Sequence, residues 1–187
     1  MTLNILQHFK FSQILTGENS LRSDERGSFR RLLDEKMVNE FLILTDQEIF
    51  HTVQSNFSTN LSPGTWRGFH AQVSPQSETK IVTCVSGCVL DVFVDIRPDS
   101  STYLHHGTVE LDSKKGNFVI IPKGFAHGYL TLQPNSSVVY FVDTNYDPAS
   151  EIGFNVFDPT FDFSFRDRII SISEKDRNWP FLLGEAP

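Results

Sequence analysis

"GNFVIIPKGFAHGYL", residues 116–130, decides how the chain is built. Four apolar residues, 118–121, precede the turn-forming Pro122-Lys123-Gly124, and a second run carrying Phe125, Tyr129 and Leu130 follows. The segment reads as strand, turn, strand. The same texture runs from Ile49 to Phe157, broken by SPG (62–64), SG (86–87), RPDSS (97–101), DSKKG (112–116) and QPNSS (133–137). Turn signals spaced about 8 to 15 residues apart predict an antiparallel sandwich or barrel, an all-β fold.

Around this region the signals are fewer. Leu33, Met37, Phe41 and Leu44 recur at helical spacing with charged residues between them, which predicts an amphipathic helix over 32–44 that covers a sheet. The stretch RDRIISISEKDRNW, 166–179, reads as a strand end followed by a short helix. No repeat, low-complexity stretch or linker divides the 187 residues, so a single domain over 1–187 is expected. Phe occurs 17 times, which favours broad apolar faces such as sheets offer. A net charge of −7 argues against nucleic acid or an anionic membrane as partner, so a phosphorylated ligand needs a local cationic pocket. Cys84 and Cys88 form no disulfide framework and read as small core residues in a reducing compartment. The N-terminal MTLNILQHFKF carries neither a cationic leader nor an apolar run, and the expected location is cytoplasmic.

Period-two alternation shows which side chains share a face. Val138, Tyr140 and Val142 fall together, and Lys80 falls with Val82 and Cys84, so a phenol and an ammonium point where aliphatic groups point. Such a lysine needs an anion beside it. In TWRGFHAQ, 65–72, the alternation groups His70 with Trp66 and Gln72, opposite Arg67 and Phe69.

Two stretches resemble the motifs of cupin barrels. Gly116, Pro122, Gly124 and His127 fit the spacing of the second motif, with Thr131 in place of its usual Asn; Gly64 and His70 fit the start of the first, with Gln72 in place of its second histidine. A cupin metal takes three imidazoles and a carboxylate, whereas here the His-x-His pair is one ring and Glu78 comes late. A neutral amide is a poor transition-metal ligand, so no metal and no other cofactor is expected.

In order along the chain, DERGSF (24–29), QSNFS (54–58), WRGFHAQ (66–72), KIVTCVSGCVLDVFVDIR (80–97), PKGFAHGYL (122–130), the run from Tyr140 to Pro148 and SEKD (173–176) resemble the dTDP-4-dehydrorhamnose 3,5-epimerase family over about residues 20–180. The resemblance implies a cupin-type jelly-roll barrel with a few short helices, a homodimer, and metal-free epimerisation at C3 and C5 of a nucleotide-diphosphate 4-keto-6-deoxy sugar. It implies His70 as base, Asp176 as the carboxylate orienting it, Tyr140 as the acid on the opposite face and Lys80 beside the keto oxygen. It further implies Arg26, Gln54, Asn56, Arg67, His127 and Tyr146 as substrate contacts, with Phe29 and Arg26 reaching the neighbouring subunit's pocket.

These residue types suit that chemistry. A proton beside a ketone becomes removable when the developing enolate oxygen meets a fixed cation, and a neutral imidazole can take it. Reprotonation from the other face needs a donor such as a phenol, and a carboxylate on the far ring nitrogen fixes the tautomer. Each residue also has a plainer reading: Asp176 as part of a capping box with Ser173, Tyr140 and His127 as core residues, Arg26 as a solvated turn residue.

Three positions depart from the family pattern. Arg31 stands where a glutamate associated with the nucleotide is frequent, Asn145 replaces an aromatic residue, and Phe165 replaces a frequent Trp. The resemblance favours dTDP as carrier, with CDP, GDP and UDP as alternatives. A 3- or 5-monoepimerase or a 3,4-ketoisomerase shares the same acid and base. A metal-dependent cupin enzyme and a noncatalytic sugar-binding module are the competing classes; Gln72 weighs against the first, and the joint presence of His70, Tyr140, Lys80 and Asp176 against the second.

Overall fold

A computed structural model describes residues 4–8 and 10–182. In chain order the strands are β1 (Asn4–His8), β2 (Phe11–Glu18), β3 (Leu21–Asp24) and β4 (Gly27–Arg30), followed by helix α1 (Glu35–Leu44). Then come β5 (Gln54–Asn60), β6 (Thr65–Gln72), β7 (Lys80–Ser86), β8 (Cys88–Asp95), β9 (His106–Asp112), β10 (Asn117–Ile121), β11 (Phe125–Thr131) and β12 (Ser136–Val142). Short β13 (Glu151–Gly153), β14 (Ser171–Ile172) and helix α2 (Glu174–Arg177) complete the set. One sheet has the order β1-β2-β10-β7-β12-β5 and the other β13-β6-β11-β8-β9, with β14 added to β6. The opening segment is β10, turn, β11, and it carries the chain from one sheet to the other.

Three apolar clusters explain why the sheets face each other. Val82, Cys84, Val119, Ile121 and Val138 of the first sheet meet Val89, Phe93, Leu111, Phe125 and Tyr129 of the second, so this cluster is the interior of a cupin-type jelly roll. The outer face of the second sheet, with Trp66, Phe69, Val92 and Leu130, is covered by Phe154, Phe161, Phe163 and Phe165. Phe165 stacks on Trp66 at 5.2 Å, so its place in the fold is one of packing. The phenylalanine-rich composition thus serves a sheet coated on both faces.

Helix α1 covers the outer face of the first sheet, packing on Leu15, Ile81, Phe118 and Ile120. It starts later than the apolar spacing predicts, because Asp34 caps it by accepting the Met37 N–H. Its buried centre is Val38 and Leu42, flanked by Leu33, Met37 and Phe41, whereas Leu44 is 79% exposed. Leu44 lies about 200° round the helix from Leu42, which turns it away from the sheet. Cys84 and Cys88 are buried and free, with Gly87 forming the left-handed turn between their strands. Burial pushes each thiol up to about 11. No helix among the described residues is long and apolar enough to cross a membrane.

Strict alternation fails at one point in β6. His127 pairs with His70 but Tyr129 pairs with Arg67, so three steps along β6 match two along β11. This is a bulge, and it reverses the phase of the strand. Trp66, Phe69 and Ala71 therefore all reach the outer apolar layer, while Arg67 and His70 turn to the same, inner side. Gly68 permits it: its φ is +131°, and a Cβ there would come 2.5 Å from Gly128 Cα. Gly68→Ala is expected to cost roughly 2 kcal/mol or more in a urea melt. An unchanged midpoint would contradict the close strand approach.

Candidate active site

Several strands direct polar side chains into the barrel beside its apolar filling. The bulged β6 supplies Arg67 and His70, β7 Lys80, β11 His127, and β12 Tyr140. Asp176 arrives from the other end of the chain. Strand β14 lies parallel to the start of β6, with Ser171 against Thr65 and Ile172 against Trp66, and delivers the chain to α2. There Ser173 caps the helix by accepting the Asp176 N–H at 3.0 Å. The capping leaves the Asp176 carboxylate facing β6. Its Oδ1 lies 2.6 Å from His70 Nε2, and its Oδ2 accepts the Gly68 N–H at 3.3 Å.

A carboxylate only accepts, so Nε2 carries the proton and Nδ1 of the neutral ring is the basic atom. Nδ1 makes no hydrogen bond to a described residue. Burial pushes the Asp176 carboxyl up, but the His70 hydrogen bond and charge and the Gly68 N–H outweigh it, and the pKa falls below the ordinary range.

Tyr140 stands on β12, in register with Val82 of β7 and Asn56 of β5. Its hydroxyl has no hydrogen-bond partner among the described residues. Burial raises its pKa, the nearby Tyr129 and Glu78 raise it further, and Arg67 opposes them. The phenol is thus a proton carrier at neutral pH. Tyr129, which sequence reasoning missed, bonds Ser58 Oγ at 2.7 Å and accepts from Asn60 Nδ2 at 3.3 Å. Asn60 Oδ1 in turn accepts from Arg67 Nε at 2.7 Å and holds the guanidinium in place.

Two further carboxylates take partners that the sequence did not reveal. Glu78 Oε1 is 3.0 Å from Lys80 Nζ, the anion that the buried ammonium requires. Asp91 Oδ2 is 2.7 Å from His127 Nε2. Burial raises the Asp91 pKa against the attraction of His127 and Lys80, and its Oδ1 has no partner among the described residues. An aspartate in the otherwise apolar CVLDVFV, 88–94, was the available signal. Gln72 is committed elsewhere: its amide donates to Glu78 and to the Asn145 carbonyl, and its oxygen accepts the Asp147 N–H. The Nε2 atoms of both histidines face carboxylates, and no cluster of three or more His, Cys, Asp or Glu suited to a metal occurs among the described residues.

The expected substrate contacts divide. Asn56 and His127 sit in register with Tyr140 and His70. Gln54 Oε1 accepts the Tyr146 N–H, and the Tyr146 hydroxyl donates to Glu151, which leaves both at the rim. Arg26 and Phe29 are not brought to this barrel interior by their own chain. They lie on the β3–β4 hairpin, which forms a sheet of its own, with Arg26 paired to Asp24 and Phe29 63% exposed. Arg31 pairs with Asp34 at the start of α1.

The sequence model of the dTDP-4-dehydrorhamnose 3,5-epimerase family matches residues 8–183. The chain belongs to this family. A relative so named from Mycobacterium tuberculosis is 38% identical over 67% of the chain, and the match spans 55% of that protein's length. Among solved structures, the epimerase of Bacillus anthracis with TDP and pyrophosphate bound superposes with a TM-score of 0.87 at 30% identity, covering 97% of this chain and 100% of that one. A 3,5-epimerase of Legionella pneumophila in complex with dTDP-4-keto-L-rhamnose gives 0.87 at 32% identity, covering 97% and 94%.

The lowered pKa of Asp176 makes a stability prediction for this epimerase-family chain. A carboxyl depressed by folding contributes stability that is complete above its unfolded pKa and is lost as pH falls through its folded one. The stability gap between wild type and Asp176→Asn, measured by urea melts across pH, should therefore be constant at neutral pH and shrink on acidification below the ordinary carboxylate range. A gap that widened on acidification would contradict the assignment.

Proposed function

We propose that the protein epimerises a dTDP-linked 4-keto-6-deoxy sugar at C3 and C5 through an enolate, without a metal. The observation carrying this reading is the His70–Asp176 pair, with its basic Nδ1 unengaged, in the same barrel as an unpartnered Tyr140 phenol. The nucleotide and keto-sugar ligands of the two structural relatives support the substrate class. His70 Nδ1 takes the proton from the carbon beside the ketone, and the electron pair moves onto the keto oxygen. Lys80 meets that oxygen, and its charge lowers the cost of the enolate. Tyr140 then delivers a proton to the opposite face, the enolate collapses to the ketone, and the inverted centre remains. Asp176 stabilises the imidazolium formed at His70. Arg67 faces the diphosphate. A second copy of the chain supplies Arg26 and Phe29, whose hairpin pairs with no other strand among the described residues of its own chain.

Incubation with the dTDP-4-keto-6-deoxy sugar in D2O, followed by NMR, is expected to show deuterium at both C3 and C5. Label at a single carbon would reduce the activity to monoepimerisation, and no label would reject it. His70→Ala should lower kcat by about 10²- to 10⁴-fold with dTDP affinity nearly intact. Equal loss of binding and turnover would favour a sugar-binding module, and loss of turnover on chelation would favour a metal enzyme. Sedimentation should give a dimer, and a monomer with full turnover would contradict the shared site.

A further inference from the structure

Glu78 sits in the loop before β7, held at both carboxylate oxygens. Oε1 pairs with Lys80 at 3.0 Å, and Oε2 accepts from Gln72 Nε2 at 3.2 Å. The Glu78 and Lys80 side chains are only 12% and 9% exposed. Gln72 is itself fixed by the 145–147 backbone, so this carboxylate is locked rather than free to swing. A neutral glutamine could fill the same space and bond the same neighbour, so the charge calls for a separate reason.

The groups around Tyr140 supply one. The charges of Arg67 on β6 and of Glu78 in the loop before β7 act on it, as does Tyr129 on β11; Lys80 on β7 is in register with Val142, two residues along β12, and Asn56 and Ser58 on β5 are neutral. A cation such as Arg67 beside a half-buried phenol favours its phenolate. A phenolate cannot protonate a carbanion, and it would sit as a second anion near the enolate.

We propose that Glu78 is a positioning residue that pins the Lys80 ammonium in the cavity and, through its negative charge, keeps Tyr140 in its proton-bearing form. The role rests on the enolate reading, in which Tyr140 is the acid. The electrostatics agree with the geometry: after burial and Tyr129, the charge of Glu78 raises the Tyr140 pKa, and that of Arg67 lowers it.

Ultraviolet titration of tyrosinate tests this without substrate. The chain has four tyrosines, so subtracting the titration of Tyr140→Phe isolates Tyr140 in each background. In Glu78→Gln the Tyr140 titration should move to lower pH, the alkaline limb of kcat/KM should move with it, and Glu78→Asp should restore both. Glu78→Ala should shift the titration in the same direction and stands in should the glutamine variant fold poorly. A titration that overlays wild type in a folded Glu78→Gln or Glu78→Ala protein would overturn the proposal. Should wild type show no epimerase turnover while the titration still shifts, the charge coupling stands and the enzymatic reading alone fails.

Discussion

The short hydrogen bond between Asp176 and His70 organises the site, and much of the fold is arranged to make it. It joins residues 106 positions apart in sequence. It needs β14 to run parallel to β6, so that α2 presents its carboxylate beside the ring. It also needs the bulge at Gly68, which turns His70 inward and leaves the Gly68 N–H aimed at the second carboxylate oxygen. One backbone irregularity thus orients the His70 ring and helps hold the carboxylate bonded to it. Together these contacts assign the ring proton to Nε2 and leave Nδ1 for chemistry.

The rest of the interior obeys the cost of burying charge. Asp91 faces His127, Glu78 faces Lys80 and Asp176 faces His70, so each carboxylate has a cationic or proton-donating partner. Removing one member of such a pair leaves the other uncompensated in a low-dielectric cavity. The apolar layers on the outer sheet faces make this affordable, because they carry most of the apolar burial and leave the inner face to be partly polar. The Tyr140 hydroxyl has no hydrogen-bond partner among the described residues, which agrees with the proposed role of proton donor.

Much of this was legible in the sequence because it rests on local signals. Turn residues at regular intervals marked the barrel, and the motif spacing marked His70, Lys80, His127, Tyr140 and Asp176. Period-two counting placed Lys80 and Tyr140 on the inner face correctly, since β7 and β12 are regular around them. The same counting put Arg67 and His70 on opposite faces, because a bulge is a property of two strands and only its glycine shows in one. Glu78 was weighed only as a late metal carboxylate and not as the partner of Lys80, and Asp91 and Asn60 were not singled out. The partners of Asp91 and Asn60 lie on other strands, so the apolar run around Asp91 marks it as buried without naming His127, and nothing near Asn60 marks it at all. Leu44 misled because an apolar residue at the last turn of a helix satisfies the spacing without reaching the sheet.

The central claim is that an imidazole and a phenol meet a keto sugar from opposite sides of one cavity. A crystal structure with a dTDP-4-keto-6-deoxy sugar bound tests it most directly. The account predicts the sugar ring between the two groups, with His70 Nδ1 and the Tyr140 hydroxyl each within about 3.5 Å of opposite faces of the ring. A ring touched by both groups on the same face, or one that leaves Tyr140 behind another side chain, would contradict it.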